Sequence, residues 1–380
     1  MEIVRLKKEN YDELVGLLDY VFTLKNGSSD FQKNMPKMWA RDDEHMGKHL
    51  AVKEDGKLVS VIGIYPLPVD IAGERLLFST VGNIATHPDY EGRGYMTMLI
   101  NRAMEELDKM GADASRLGGL RQRYNRFGYE MSGRVYSFTL EKQVVKKAWA
   151  DKVNGVTFTK IARDDLESLR IAQALHAESK IAVLRDSAND YADVYASMVA
   201  WQNEPWLAKK DGKVIGYLCT KGGAVAENYA YDTDGMQAML AAWQNRIGDT
   251  ISFRFQPHEV ENIRVFSAVC NMAVVSPSHF KIIHWDKVVG AFMRLKASYT
   301  AMPKGELTLH ITGFGGIRLF VNDVGVGCER FDGDCEVTLN ALEATRYLFG
   351  VLPPDSTAAA NGLASAWLPL PLSWNGQDRV

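Results

Sequence analysis

Little in this chain of 380 residues points to metals, membranes or nucleic acids. The four cysteines, Cys219, Cys270, Cys328 and Cys335, are too few for a disulfide framework and form no Cys-x-x-Cys pair. None of the eight histidines stands at metal-ligand spacing, so no metal is expected. Lys and Arg number 44 against 47 Asp and Glu, without the basic surplus that a nucleic-acid partner asks for. No run approaches the roughly 20 apolar residues of a membrane span. The start, Met1-Glu2-Ile3-Val4-Arg5, lacks the basic-then-apolar order of a secretory leader. The expectation is a soluble, cytoplasmic protein with reduced thiols that meets neither membrane nor nucleic acid. At 46% hydrophobic and 24% charged residues the chain is no disordered polymer, and its length favours two or three domains.

What is present first is a repeat. His49-Leu50-Ala51-Val52-Lys53-Glu54-Asp55-Gly56-Lys57-Leu58-Val59 has a counterpart in Pro205-Trp206-Leu207-Ala208-Lys209-Lys210-Asp211-Gly212-Lys213-Val214-Ile215. Both read as strand, Asp-Gly turn, strand. At nearly the same offset, Arg5-Leu6-Lys7-Lys8-Glu9 with Tyr11 and Leu14 matches Lys160-Ile161-Ala162-Arg163-Asp164 with Leu166 and Leu169. Each is a strand running into an amphipathic helix with an acidic first turn. The fold class is therefore α/β in the α+β sense: a duplicated unit, residues 1–142 and 143–284, and a third segment, 285–380. In the third segment Glu306–Ile311 and Ile317–Val321 alternate as strands. A helix carrying Leu339, Leu342, Tyr347 and Leu348 follows and stops at Gly350.

The one strong local signal lies in the first unit. The β-prone run Leu77–Thr86 leads into His87-Pro88-Asp89-Tyr90-Glu91-Gly92-Arg93-Gly94-Tyr95-Met96. The helix after it places Met96, Leu99, Ile100, Ala103, Met104 and Leu107 on one stripe. Strand, glycine turn and helix N-terminus together make an anion site, because successive amides and the positive end of the helix face the same point. A P-loop needs Lys-Ser/Thr after its last glycine, and here Tyr95-Met96 follows. A dinucleotide fingerprint needs a glycine at position 97, which is Thr97.

Glu91-Gly92-Arg93-Gly94-Tyr95-Met96 resembles the pyrophosphate loop of the GCN5-related N-acetyltransferases (GNAT), Arg/Gln-x-x-Gly-x-Gly/Ala, with Glu91 and Met96 departing from it. Tyr124-Asn125-Arg126-Phe127-Gly128-Tyr129 resembles the segment that closes the acetyl-CoA site in that family. With a degenerate second copy and the strand–helix–Phe349-Gly350 ending, the whole resembles the Eis (enhanced intracellular survival) branch: tandem GNAT folds followed by a sterol-carrier-like domain. A bulky residue at Met96 is usual there. The second copy has Tyr229-Ala230-Tyr231-Asp232-Thr233-Asp234-Gly235-Met236 where the loop should be. Its acidic residues repel phosphate, so one cofactor site per chain is expected.

The resemblance implies acetyl-CoA as cosubstrate and no metal. It places pantetheine contacts on Ile84, Ala85 and Thr86, pyrophosphate contacts on Gly92, Arg93, Gly94, Tyr95, Met96 and Thr97, and a far wall on Gly119 and Leu120. Tyr124 is the implied general acid, since a phenol of pKa near 10 stays protonated and can return a proton to a thiolate. The strand Leu77–Ala85 has no acidic residue to serve as base, offering only Ser79, Thr80 and Asn83. In the family a C-terminal carboxylate does this work, here that of Val380 in place of an aromatic residue, with Arg379 beside it. Phe22, Asp30 and Trp39 are implied to line the pocket of a small-molecule amine, and a homohexamer is the implied assembly. His87, before Pro88, reads as a turn residue. Two functions stay open: an N-acetyltransferase acting on a polycationic amine or lysine side chain, and a non-catalytic acetyl-CoA sensor or apolar-ligand binder.

Overall fold

The computed structural model describes residues 1–27, 29–373 and 376–378. Strand β1 (Glu2–Arg5) precedes the helix Tyr11–Asn26, whose Tyr11, Leu14, Leu18 and Val21 are buried at helical spacing. Asp12 and Glu13 suit its positive end, and Gly27, at φ 77°, stops it. Strands β2 (His49–Glu54) and β3 (Lys57–Ile71) form the expected hairpin, with Asp55 and Gly56 at φ 51° and 79°. β4 (Glu74–Thr86) returns alongside β3, and the helix Tyr95–Lys109 buries Tyr95, Leu99, Ile100, Ala103 and Leu107. Met96 and Met104 flank that stripe half-buried. β5 (Ala114–Leu117), β6 (Glu130–Ser132) and β7 (Val135–Leu140) follow.

The second half repeats the order. β8 (Val156–Lys160) leads to the helix Leu166–Ala177 and the short β9 (Ile181–Val183). β10 (Glu204–Lys210) and β11 (Lys213–Lys221) make the second hairpin, with Asp211 and Gly212 at φ 49° and 81°. Then come β12 (Ala224–Ala230), the helix Thr233–Ile247, β13 (Ile251–Phe255), the helix Val260–Ser267, β14 (Asn271–Val275) and β15 (Ser278–Ile282).

The sheets do not divide where the sequence does. One has the order β1-β2-β3-β4-β5-β15-β6, with β9 added along the far end of β3; the other has β14-β7-β13-β12-β11-β10-β8. Each half sends its last strand to its neighbour: β7 pairs with β13 and β14, and β15 pairs with β5 and β6. Boundaries at residues 142 and 284 therefore follow the chain order, while β7 and β15 each lie across them.

The third segment opens with the helix Trp285–Ala297 and a four-stranded sheet, β18 (Val326–Phe331)-β17 (Gly315–Val321)-β16 (Gly305–Ile311)-β19 (Val337–Leu339). Leu339 ends β19 rather than joining the helix, which runs Ala341–Phe349 behind an Asn340–Glu343 capping box. Val288, Phe292 and Leu295 of the first helix share a core with Val69 and Phe78 of the first sheet and Leu309 and Leu319 of the small one. The first unit and the third segment are thus one packed body. The tail runs back between the halves, where Gln377 Nε2 donates to the carbonyls of Ser197 and Met198 at 3.2 and 3.1 Å. Asp378 is bound by the buried Arg185, which also grips Glu227.

Candidate active site

β4 and β5 run parallel and pair only at Phe78–Thr80 against Ala114–Arg116. Beyond Thr80 the edge of β4 that faced β5 has no strand beside it among the described residues, although β4 continues to Thr86. The register with β3 also slips between Val61 and Gly63, where Asn83 sits at φ 52°. Such a bulge increases local twist and turns the strand end away from its neighbour. Ile84, Ala85 and Thr86 occupy this open stretch, Ala85 buried and the others half-buried. An extended amide-bearing arm lying here would find the unpaired edge of a sheet.

The loop follows at once. Gly92 and Gly94 hold φ 79° and 82°, which is why glycine stands at both. Gly94 caps the helix Tyr95–Lys109 without any side-chain acceptor, so the first amides of the helix point outward uncovered. A cavity of about 380 Å³ opens onto them, lined by Ile84, Thr86, Gly92, Gly94, Tyr95, Met96 and Thr97. Three cations share that lining, Lys25, Arg123 and Arg126. Arg126 Nη2 donates to Thr97 Oγ1 at 3.2 Å, and Lys25 stands 4.0 Å from Glu91. The positive charge that Glu91 removes from the loop is therefore returned by neighbouring segments. Arg93 contributes backbone to the loop, but its guanidinium turns to Glu54 at 2.8 Å and covers the Tyr90 ring. Tyr95 also donates to Glu54.

Tyr124 ends the short helix Arg121–Tyr124 and is 5% exposed. Burial raises its pKa, so the phenol keeps its proton at neutral pH. Gly119, at φ 139°, makes room for the ring: a Cβ there would lie 2.5 Å from Tyr124 Cε2. Gly119 also borders a neighbouring cavity with Arg116 and His279, while Leu120 is exposed at the mouth of the short helix. Glu130 locks this helix in place, accepting Arg121 Nε at 2.5 Å and Nη2 at 2.7 Å, with Arg346 of the third segment on the same carboxylate. Burial alone would push the Glu130 pKa up; the hydrogen bonds from Arg121 and the Met131 amide outweigh it and hold it low. The third segment thereby helps to fix the position of Tyr124.

The expected acceptor residues separate. Trp39 lines a cavity of about 620 Å³ together with Tyr65, Lys37, Glu44 and Asp193. Phe22 packs edge-on against Phe31 at 4.8 Å, and neither Phe22 nor Asp30 lines that cavity. Asp30 caps the turn Phe31–Asn34 and pairs with Lys33 Nζ at 2.8 Å, which lowers its pKa and occupies its charge. Val380 and Arg379 lie outside the described residues.

The second half closes the equivalent place with its own chain. Asp232 caps the helix Thr233–Ile247, accepting the Gly235 amide at 2.7 Å. Among the described residues no group of three or more His, Cys, Asp or Glu is arranged to hold a metal ion, and no helix is long and apolar enough to cross a membrane.

Residues 2–132 match the sequence profile of the acetyltransferase (GNAT) domain family. No curated protein matches the chain significantly. Among solved structures, a protein of unknown function from Enterococcus faecalis V583, described as a probable N-acyltransferase, is 14% identical with a TM-score of 0.68, covering 100% of this chain and 97% of that one. A GCN5-related N-acetyltransferase from Anabaena variabilis ATCC 29413 is 14% identical, also at 0.68, covering 98% of each chain. Eis1 from Mycobacterium abscessus is 12% identical at 0.68, covering 99% of this chain and 98% of that one. Identities this low establish the shared fold along the chain, and the profile match identifies the domain of its first third. The chain carries an acetyltransferase (GNAT) domain at residues 2–132.

Proposed function

We propose that the protein transfers the acetyl group of acetyl-CoA directly to a primary amine of a polycationic small molecule or a lysine side chain. The observation that carries this reading is the uncapped helix N-terminus at Gly94 with Lys25, Arg123 and Arg126 around it, Arg123 being followed by a buried, protonated Tyr124. The amides and cations suit a diphosphate, and the open edge at Ile84–Thr86 suits the pantetheine arm. The amine nitrogen attacks the thioester carbonyl carbon; the C–N bond forms, the C–S bond breaks, and its electron pair leaves with sulfur. Tyr124 returns a proton to that thiolate, and the nitrogen loses its own to water or to the carboxylate of Val380. Residues 285–380 take the part of a sterol-carrier-like domain, whose contribution is to brace Arg121–Tyr124 through Arg346 and to carry the tail back between the halves.

A panel of amines that includes spermine and kanamycin, followed by CoA release, tests this. Turnover is expected with at least one amine, and Tyr124→Phe is expected to lower kcat about 100-fold with little change in acetyl-CoA affinity. Full activity of Tyr124→Phe removes the phenol from the reaction. Tight acetyl-CoA binding without turnover on any amine favours a sensor instead.

A further inference from the structure

β4 carries no carboxylate between Leu77 and Ala85 that could meet an acceptor nitrogen. One chain of polar side chains reaches this strand from the interior. Asn83 Nδ2 donates to Tyr65 Oη at 2.5 Å, Tyr65 Oη lies 2.7 Å from His49 Nε2, and His49 Nδ1 lies 3.3 Å from the Met46 carbonyl. The last link sets the direction of all the others. A carbonyl can only accept, so Nδ1 bears the proton and Nε2 a lone pair. Tyr65 must then donate to Nε2, which leaves its oxygen to receive the Asn83 amide. Burial drives the His49 pKa down to about 4, so the imidazole is neutral and this order holds at neutral pH. Trp39 stacks on His49 with ring centres 5.5 Å apart and closes the chain from outside.

The consequence falls on Asn83. Its NH2 group is committed inward, so its amide cannot turn over, and its Oδ1 makes no hydrogen bond among the described residues. The residue is 6% exposed, sits on β4 past Thr80, and holds φ 52° in the bulge. A non-glycine residue at positive φ costs roughly 1–2 kcal/mol, and such strain collects at functional sites. Tyr65 and Trp39 also line the 620 Å³ cavity, so the chain joins that cavity to the open end of β4.

We propose that Asn83 Oδ1 accepts a hydrogen bond from the acceptor amine and holds its nitrogen against the thioester carbonyl, with Tyr65 and His49 as positioning residues that fix which way the amide faces. This rests on the transfer reading above. Asn83 takes no proton. One N–H of a primary amine is spent on Oδ1, and the lone pair is left to face the carbonyl carbon.

The test uses the full chain with acetyl-CoA and, as acceptors, spermine and kanamycin. Asn83→Gly removes the amide and keeps the positive φ accessible. It is expected to raise the amine KM and lower kcat/KM about 10-fold, with the acetyl-CoA Kd and Tm close to native. Tyr65→Phe is expected to lose less, in the same direction. The double variant should be no worse than Asn83→Gly alone, because Tyr65 acts only through Asn83; a purely structural role of Tyr65 would instead add to the loss. Native kcat/KM in Asn83→Gly, or additive losses, overturns the proposal while leaving the transfer reading intact. A native protein that turns over neither amine, though it binds acetyl-CoA, overturns both.

Discussion

The two halves offer the same strand, turn and helix and fill the mouth of that helix in opposite ways. At Gly94 the first amides meet no side chain and face three cations; at Asp232 a carboxylate from the chain itself takes the Gly235 amide. The far walls differ in the same sense. After β5 come Gly118, Gly119 and Leu120; after β13 the helix is capped by Glu259, whose carboxylate accepts the Gln256 amide at 2.7 Å. Asp232 and Glu259 line one cavity of about 520 Å³. A helix can satisfy its leading amides once. Where a covalently attached carboxylate has taken one of them, a phosphate finds fewer donors and meets like charge as well. The difference between an open helix mouth and a closed one thus reduces to a few side chains on an unchanged backbone plan.

The largest test of this contrast converts the first mouth into the second. Gly94→Asp supplies a carboxylate at a positive φ that Asp tolerates better than most residues, and acetyl-CoA binding is expected to weaken by more than about 100-fold with circular dichroism unchanged. Calorimetric affinity near native would show that these amides do not hold the diphosphate. A smaller effect is expected from Arg126→Ala, which removes one cation and the contact to Thr97. The acetyl-CoA Kd should rise roughly 10-fold at low salt, and the gap to native should narrow as ionic strength increases. A gap independent of salt would argue against a charge contribution.

The smallest effect on catalysis belongs to the second half. Burial raises the Glu259 carboxyl to about 7 from its ordinary 4.5, against hydrogen bonds from Gln256 and Asn262 that pull it down. Between those two values the folded state binds more protons than the unfolded one, so Glu259 makes stability fall as pH rises through that window. Glu259→Gln removes the cost. Its Tm should exceed native at pH 8 and converge with it near pH 4.5, with acetyl-CoA affinity unaltered. An equal Tm difference at both pH values would contradict the assignment.

Local chemistry was legible in the sequence. Asp55-Gly56 and Asp211-Gly212 announced their hairpins because few other pairs adopt successive positive φ, and the stripe from Leu99 to Leu107 announced its helix. The turn at the glycine loop was legible for the same reason, a strict backbone requirement at Gly92 and Gly94. Partners brought in from afar were not. Lys25 and Arg123 look like ordinary surface charges until folding carries them to the Gly92–Gly94 loop. The pairing of Asp30 with Lys33 was not read either, although the i+3 spacing was there to see. Asn83 was visible as a polar residue in an apolar strand, but nothing local tied it to Tyr65 and His49. Strands Val135–Leu140 and Ser278–Ile282 went unread, and nothing local says which sheet takes them.

That reciprocal loan of β7 and β15 has a consequence for synthesis on the ribosome. The sheet that bears Gly94 and Tyr124 lacks the rung between β5 and β6 until residue 282 has emerged. Up to that moment β5 and β6 expose bare edges, and β7 has no sheet to join until β13 has emerged at residue 255. The nascent first half therefore waits, unfinished, for a strand at the far end of the second.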